Sequence, residues 1–185
     1  MIRLDVHCRA ETRPGDRIGG YASVFGVTAD LTSFGKERIA PGAFDAVLRD
    51  DTSDTRALWN HDVQKVLGRQ AAGTLRLSTD TTGLEYEIDL PNTSYARDLR
   101  ELVERGDVDG ASFGFIPNLT EWADDRSVLV HTSVRRLIDV SPVTFPAYAG
   151  ANVEARSRPD HPGSRRSQLI RARARITLRG SYRDN

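Results

Sequence analysis

Residues 75–90 limit the folds open to this chain more than any other stretch. Leu75 and Leu77 alternate with polar neighbours on one arm, and Leu84, Tyr86, Ile88 and Leu90 alternate with Glu85, Glu87 and Asp89 on the other. Period-two alternation puts one face of a strand in a core and leaves the other in water. The link Asp80-Thr81-Thr82-Gly83 fits a type I turn closed by a glycine bulge. A β-hairpin with one buried face is therefore fixed before anything else is known.

The same periodicity organises the rest. Ile2, Leu4 and Val6 alternate with Arg3, Asp5 and His7 as a strand, and Pro14 and Gly15 mark a turn. Residues 18–27 are β-rich and 28–36 form a polar loop; 37–40 are strand-like. Gly19-Gly20 fits a bulge or turn better than a phosphate cradle. Pro41-Gly42-Ala43 opens a helix carrying Phe44, Val47 and Leu48 on one face. Residues 56–62 run from strand into loop, and 66–69 form a short strand. Pro91 ends the hairpin. Ser94 is the expected N-cap of a helix reaching Arg105, with Ala96, Leu99, Leu102 and Val103 inward and Gly106 at its C′ position. A strand over 110–116 is closed by Pro117. Asp124-Asp125 turns the chain into a β-rich run over 127–140 that breaks near Arg135-Arg136, and residues 141–148 close the domain. Strands dominate and helices are few, which predicts an α+β fold built on a mainly antiparallel β-barrel or sandwich.

Charge divides the chain. Its net charge is zero, from 26 basic and 26 acidic residues. Residues 156–185 hold nine arginines against Asp160 and Asp184, a net +7, and residues 1–155 carry the opposing −7. The basic segment is poor in large apolar side chains and rich in Pro, Gly and Ser. The expectation is one domain over 1–155 and a disordered basic tail over 156–185. Such a tail touches nucleic acid or acidic partners through charge, or serves as a solvated linker. The acidic domain disfavours nucleic-acid binding elsewhere. A single cysteine, Cys8, allows no internal disulfide and suits a reducing compartment. The first residues alternate like a strand and lack the apolar core of a signal peptide, and no apolar run has membrane-spanning length.

Candidate chemistry centres on Gly110-Ala111-Ser112-Phe113-Gly114-Phe115. Strand phase sends Ala111, Phe113 and Phe115 one way and Ser112, Gly114 and Ile116 the other. The phenylalanines anchor the strand while Ser112 faces a cleft, and the glycines leave room for a substrate backbone. A serine nucleophile needs a base, and the base needs a third group to orient it. His61, at a strand end between Asn60 and Asp62, is the best-placed histidine. His7 lies in the first strand, His131 is mid-strand and His161 falls in the tail. Asp139, an acid within Leu137-Ile138-Asp139-Val140, needs a partner if buried; His61 and the neighbouring Arg135 or Arg136 are alternatives. Asp62 is the weaker third member, because adjacent strand side chains diverge. The bland reading, in which Ser112 bonds a nearby carbonyl, stays open on the residues alone. The histidines are too scattered for a zinc site, no nucleotide-binding loop is present, and Trp59 and Trp122 suit a core or rim better than a stacking platform. No cofactor is called for.

Five motifs in order resemble a known family: 20–26 (GYASVFG), 39–44 (IAPGAF), 58–62 (LWNHD), 110–115 (GASFGF) and 139–148 (DVSPVTFPAY). Together they look like the tailed-phage prohead maturation proteases of the HK97 type. The resemblance spans roughly residues 1–155. It implies a serine endopeptidase related in fold to the herpesvirus assemblins, a β-barrel surrounded by a few helices. It gives His61 as base, Ser112 as nucleophile and Asp139 as the matching acidic third member, where many relatives carry Glu. Arg135, Arg136 and the backbone N–H groups near Gly114 are candidates for the oxyanion. It further implies action in the bacterial host cytoplasm, inside the phage prohead. The substrates there are scaffold or the N-terminal extension of the major capsid protein, and the enzyme often digests itself. The portal is a further candidate partner, a dimer is compatible with the sequence, and the basic tail suits an incorporation signal or a self-cleavage site. The alternative is a non-catalytic capsid assembly or scaffolding protein of the same fold.

Overall fold

A computed structural model of the chain describes residues 10–30, 35–123 and 125–145. The expected first strand, Cys8, Pro146–Tyr148 and the basic tail lie outside the described residues, as do His7 and His161. The described residues form ten strands and two α-helices: β1 Glu11–Arg13, β2 Arg17–Val24, β3 Thr28–Asp30, β4 Lys36–Ile39, α1 Asp45–Arg49, β5 Arg56–Trp59, β6 Asp62–Arg69, β7 Leu75–Thr79, β8 Gly83–Asp89, α2 Ser94–Arg105, β9 Gly110–Trp122 and β10 Val128–Val143. This is a mostly β, α+β domain.

The strands make two sheets. One has the order β1-β2-β8-β7; the other runs β3-β4-β10-β5-β6, with β9 on the remaining side of β10. Among the described residues the strands form two open sheets sharing one core and do not close into a barrel. Nor is the pairing wholly antiparallel. The long β10 takes β4 beside its first half and β5 beside its second, both in parallel. Parallel pairs need long crossovers and leave no local turn signal, so alternation along one strand cannot announce them.

The hairpin β7–β8 has the predicted phase. Leu75 faces Ile88 and Leu77 faces Tyr86 across the ladder, and Leu75, Leu84, Tyr86 and Ile88 are buried. Its wet face carries a charge ladder in which Arg76 bonds both Glu87 and Asp89. The turn is tied by Asp80, whose Oδ1 accepts the N–H groups of Thr82 (2.7 Å) and Gly83 (3.0 Å). Gly83 is needed for a different reason from the one predicted. It is not in the left-handed region; instead a Cβ there would meet the Ser23 carbonyl of β2 at under 3.0 Å. Close packing of β2 on β8 demands the glycine.

Helix α2 buries Ala96, Leu99 and Val103 and stops at Gly106, which has φ 79° and donates to the Leu102 and Val103 carbonyls. Its N-cap is Thr93 rather than Ser94. Helix α1 begins later than predicted, at Asp45, with residues 41–44 forming turns that tuck Phe44 fully into the core. Two expected strand ends are bulges. β9 continues through Pro117, and β10 continues past Arg135-Arg136; register shifts fall between Ser133 and Val134 and between Val134 and Arg136. A bulge frees the ladder position where proline's missing N–H would otherwise be felt.

A row of aromatic rings runs through the core. Phe25 stacks near Phe44, Phe44 meets Phe113 edge-on with centroids 5.6 Å apart, and Phe113 stacks on Phe115 at 5.1 Å. Phe113 and Phe115 therefore clamp the middle of β9 to the interior.

Candidate active site

Because Phe113 and Phe115 are fixed inward, Ser112 and Gly114 face the other side of the second sheet. Across the ladder, Ser112 stands opposite Ser141, Gly114 opposite Asp139 and Ile116 opposite Arg136. A register shift between Leu137 and Asp139 absorbs Ile138, which sets Asp139 and Ser141 on the Ser112 face. Asp139 is buried, with 8% of its side chain exposed. Gly114 makes this burial feasible: a Cβ at that position would collide with Asp139 Oδ1.

The partner of Asp139 is His61. Nδ1 of His61 lies 2.6 Å from Asp139 Oδ2. A carboxylate accepts, so Nδ1 carries the proton, and in the neutral ring the lone pair is on Nε2. The Ser141 hydroxyl, itself fully buried, donates to the same Oδ2 at 2.6 Å. Arg135 and Arg136 do not bond Asp139, and Asp62 is engaged locally, accepting the Gln64 N–H at 2.9 Å.

His61 reaches Asp139 from the turn between β5 and β6, where Asn60 (φ 54°) and His61 (φ 58°) are both left-handed. That conformation costs non-glycine residues about 1–2 kcal/mol each. Asn60 offsets it by binding the end of β10. Its N–H donates to the Pro142 carbonyl (3.0 Å), its Oδ1 accepts the Thr144 N–H (2.9 Å), and its Nδ2 donates to Thr144 Oγ1 (3.3 Å). The turn holding the imidazole is thus tied to the strand holding the carboxylate.

Ser112 is 7% exposed. Among the described residues its hydroxyl has no hydrogen-bond partner, so no His61–Ser112 bond is formed. Catalytic hydrogen bonds commonly tighten only when substrate is bound. Arg135 and Arg136 line a separate pocket with the segment after α1. His131 belongs to the core, with Nε2 2.9 Å from Glu37 Oε2 and its ring edge-on to Phe115. Trp59 packs partly buried at the rim, with the Lys65 ammonium 4.6 Å over its ring.

Ser141 and Asn60 carry no role in the sequence reading. A weak signal existed for each: Ser141 follows Asp139 by two residues on a strand and so shares its face, and Asn is among the few non-glycine residues that accept a left-handed turn.

The structure thus pairs the imidazole of the β5–β6 turn with the buried carboxylate of β10, and sets the Ser112 hydroxyl of β9 opposite Ser141, two residues further along the same strand as that carboxylate. The family model for caudovirus prohead serine protease matches residues 4–163, and the chain belongs to that family. It is also 30% identical over 138 residues to the prohead protease of Enterobacteria phage HK97, an alignment covering 74% of this chain and 58% of that relative. The chain thus spans a little over half of that protein's length. No solved structure matches the chain.

Proposed function

We propose that this protein is a serine endopeptidase of phage capsid maturation, with Ser112 as nucleophile, His61 as general base and Asp139 as the group that orients it. The observation carrying the proposal is the 2.6 Å contact of His61 Nδ1 with Asp139 Oδ2, made on the strand that pairs Ser141 with Ser112. Ser112 Oγ attacks the scissile carbonyl carbon while His61 Nε2 takes its proton. The tetrahedral oxyanion collapses, the C–N bond breaks, and the imidazolium returns the proton to the leaving amine. Water then attacks the acyl ester, His61 again accepting a proton, and the carboxylic acid leaves with Ser112 restored. Asp139 and Ser141 hold the ring and stabilise its charged form. We assign the oxyanion to backbone N–H groups near Gly114, two residues along β9 from Ser112, in preference to the guanidiniums of Arg135 and Arg136.

The substrates in this reading are the scaffold or the N-terminal extension of the major capsid protein, with self-cleavage and contact with the portal inside the prohead. Residues 1–155 form the protease, of assemblin-like fold, and 156–185 form a basic tail that directs packaging or is itself cut. Co-expression with the capsid precursor of the same phage tests the proposal. The wild type shortens the precursor and Ser112→Ala leaves it intact. Equal shortening by both, or none by the wild type, contradicts it.

A further inference from the structure

A pocket of about 380 Å³ is lined by Val47, Asp50, Asp54, Ile116, Arg135 and Arg136, among others. Two registers place it on the face that carries Ser112. The register shift here inserts its extra residue, Ile138, into β10 and none into β9, so Ser112 and Ile116 share a face with Gly114 between them. On the other side of β10, Arg56 is the parallel partner of Asp139, and its Nη1 lies 2.9 Å from Oδ2 of Asp54, a wall of the pocket.

The acids of the pocket are already engaged. Both oxygens of Asp54 accept from Arg69, with Nη2 at 2.7 Å from Oδ2, which holds its carboxyl well below the usual range. Asp50 Oδ1 takes the Thr52 N–H and hydroxyl at 2.9 and 2.6 Å. The exposed Arg135 and Arg136 have no ion pair or hydrogen bond with any described residue. Counting Arg56 and Arg69, four guanidiniums stand against two carboxylates, and the surplus cations are Arg135 and Arg136. A guanidinium fork matches a carboxylate bidentately, while Ile116 and Val47 offer an apolar surface for a methylene stem.

We propose that this pocket is a substrate subsite for an acidic side chain, Asp or Glu, held about four residues from the scissile bond. The spacing follows from the strand: Ile116 is four residues from Ser112, about 13 Å at the rise of a β-strand, and an extended peptide covers that span in about four residues. The proposal rests on Ser112 being the nucleophile, and its test separates the two claims.

The probe is a library of host-proteome peptides, given to the full-length protein and to the Arg135→Glu/Arg136→Glu and Arg135→Gln/Arg136→Gln variants. Cleavage positions are read by mass spectrometry. The wild type should enrich Asp and Glu at one position about four residues from the cut, by roughly tenfold, the scale of one charge-assisted contact. The Gln variant should lose this preference and the Glu variant should reverse it towards Lys and Arg, each still cutting at Ser112-dependent sites. An acid preference unchanged in both variants, or none in the wild type, overturns the subsite while leaving the protease intact. A second arm needs no catalysis: immobilised Ser112→Ala protein captures acidic peptides from the same library, and the Arg-reversed form of it, carrying the same basic tail, does not. Equal capture by the two overturns the subsite even if no peptide is cut, an outcome that by itself refutes only the protease reading.

Discussion

His61 Nδ1 and the Ser141 hydroxyl converge on one oxygen, Oδ2 of Asp139, each at 2.6 Å. The two donors hold the carboxylate through that one oxygen, and the carboxylate fixes the imidazole. Asp139→Asn leaves the shape but presents a group that can donate, favouring the wrong tautomer of His61. Peptidase activity should fall by roughly 10³–10⁴-fold with the melting temperature little changed, as deletions within such an assembly do. Steady-state kinetics beside a thermal melt checks this; a loss below tenfold would remove Asp139 from the machinery.

Ser141→Ala strips one donor from a buried carboxylate without touching the imidazole. Loss of a hydrogen bond to a charged group costs about 1.5–3 kcal/mol, so stability should drop measurably and kcat should fall while KM holds. Unchanged kcat would mean that His61 alone holds Asp139 in place.

Gly114→Ala is predicted to act at a distance from Ser112. The new Cβ would sit under 3.0 Å from Asp139 Oδ1 and push the carboxylate off the His61 ring. Activity should be lost with the chain still folded, checked by circular dichroism. Full activity would show that the carboxylate has another berth.

Asn60 separates two roles that one residue combines here. Asn60→Gly accepts φ 54° freely but gives up the bonds to Thr144; Asn60→Asp keeps an oxygen for the Thr144 N–H. Asp should retain most activity and Gly should lose at least about tenfold, the scale of one to two hydrogen bonds. The reverse order would make backbone strain, rather than the tie to β10, the controlling factor.

On the wet face of the hairpin, Arg76 holds the Asp89 and Glu87 carboxyls below their usual range. Depressed folded-state values mean stability that is present above the unfolded carboxyl range and lost as pH falls through the folded ones. Arg76→Ala should therefore lose less stability than wild type between about pH 6 and about pH 3. These groups are partly exposed, so the difference is small and shrinks with added salt. Parallel urea melts at the two pH values decide it; equal losses would show that the ladder contributes nothing.

Local periodicity made the hairpin, α2 with its Gly106 stop and the two faces of β9 legible, because each depends on residues two to four apart. The parallel pairing of β10 with β4 and β5 depends on residues 92 and 83 positions apart in sequence, and no turn signal announces it. Gly83 was recognisable as a special glycine, but only the approach of the Ser23 carbonyl says why. At the site, the pairing of His61 with Asp139 in preference to Arg135 or Arg136 hangs on the bulge that absorbs Ile138. A one-residue irregularity of that kind leaves no compositional trace, and it decides which way every later side chain on β10 points. The Ser112 phase followed from Phe113 and Phe115 alone, since two phenylalanines two apart fix a strand's inward face.

The central claim is that Ser112 is an activated nucleophile. Intact-protein and peptide mass spectrometry after treatment with a fluorophosphonate measures it directly. The serine oxygen displaces fluoride and leaves a stable phosphonyl ester. A single adduct on Ser112 of the folded protein, abolished by His61→Ala and by heat denaturation, is the predicted result. No adduct on Ser112, or one that forms as fast without His61, would contradict the account.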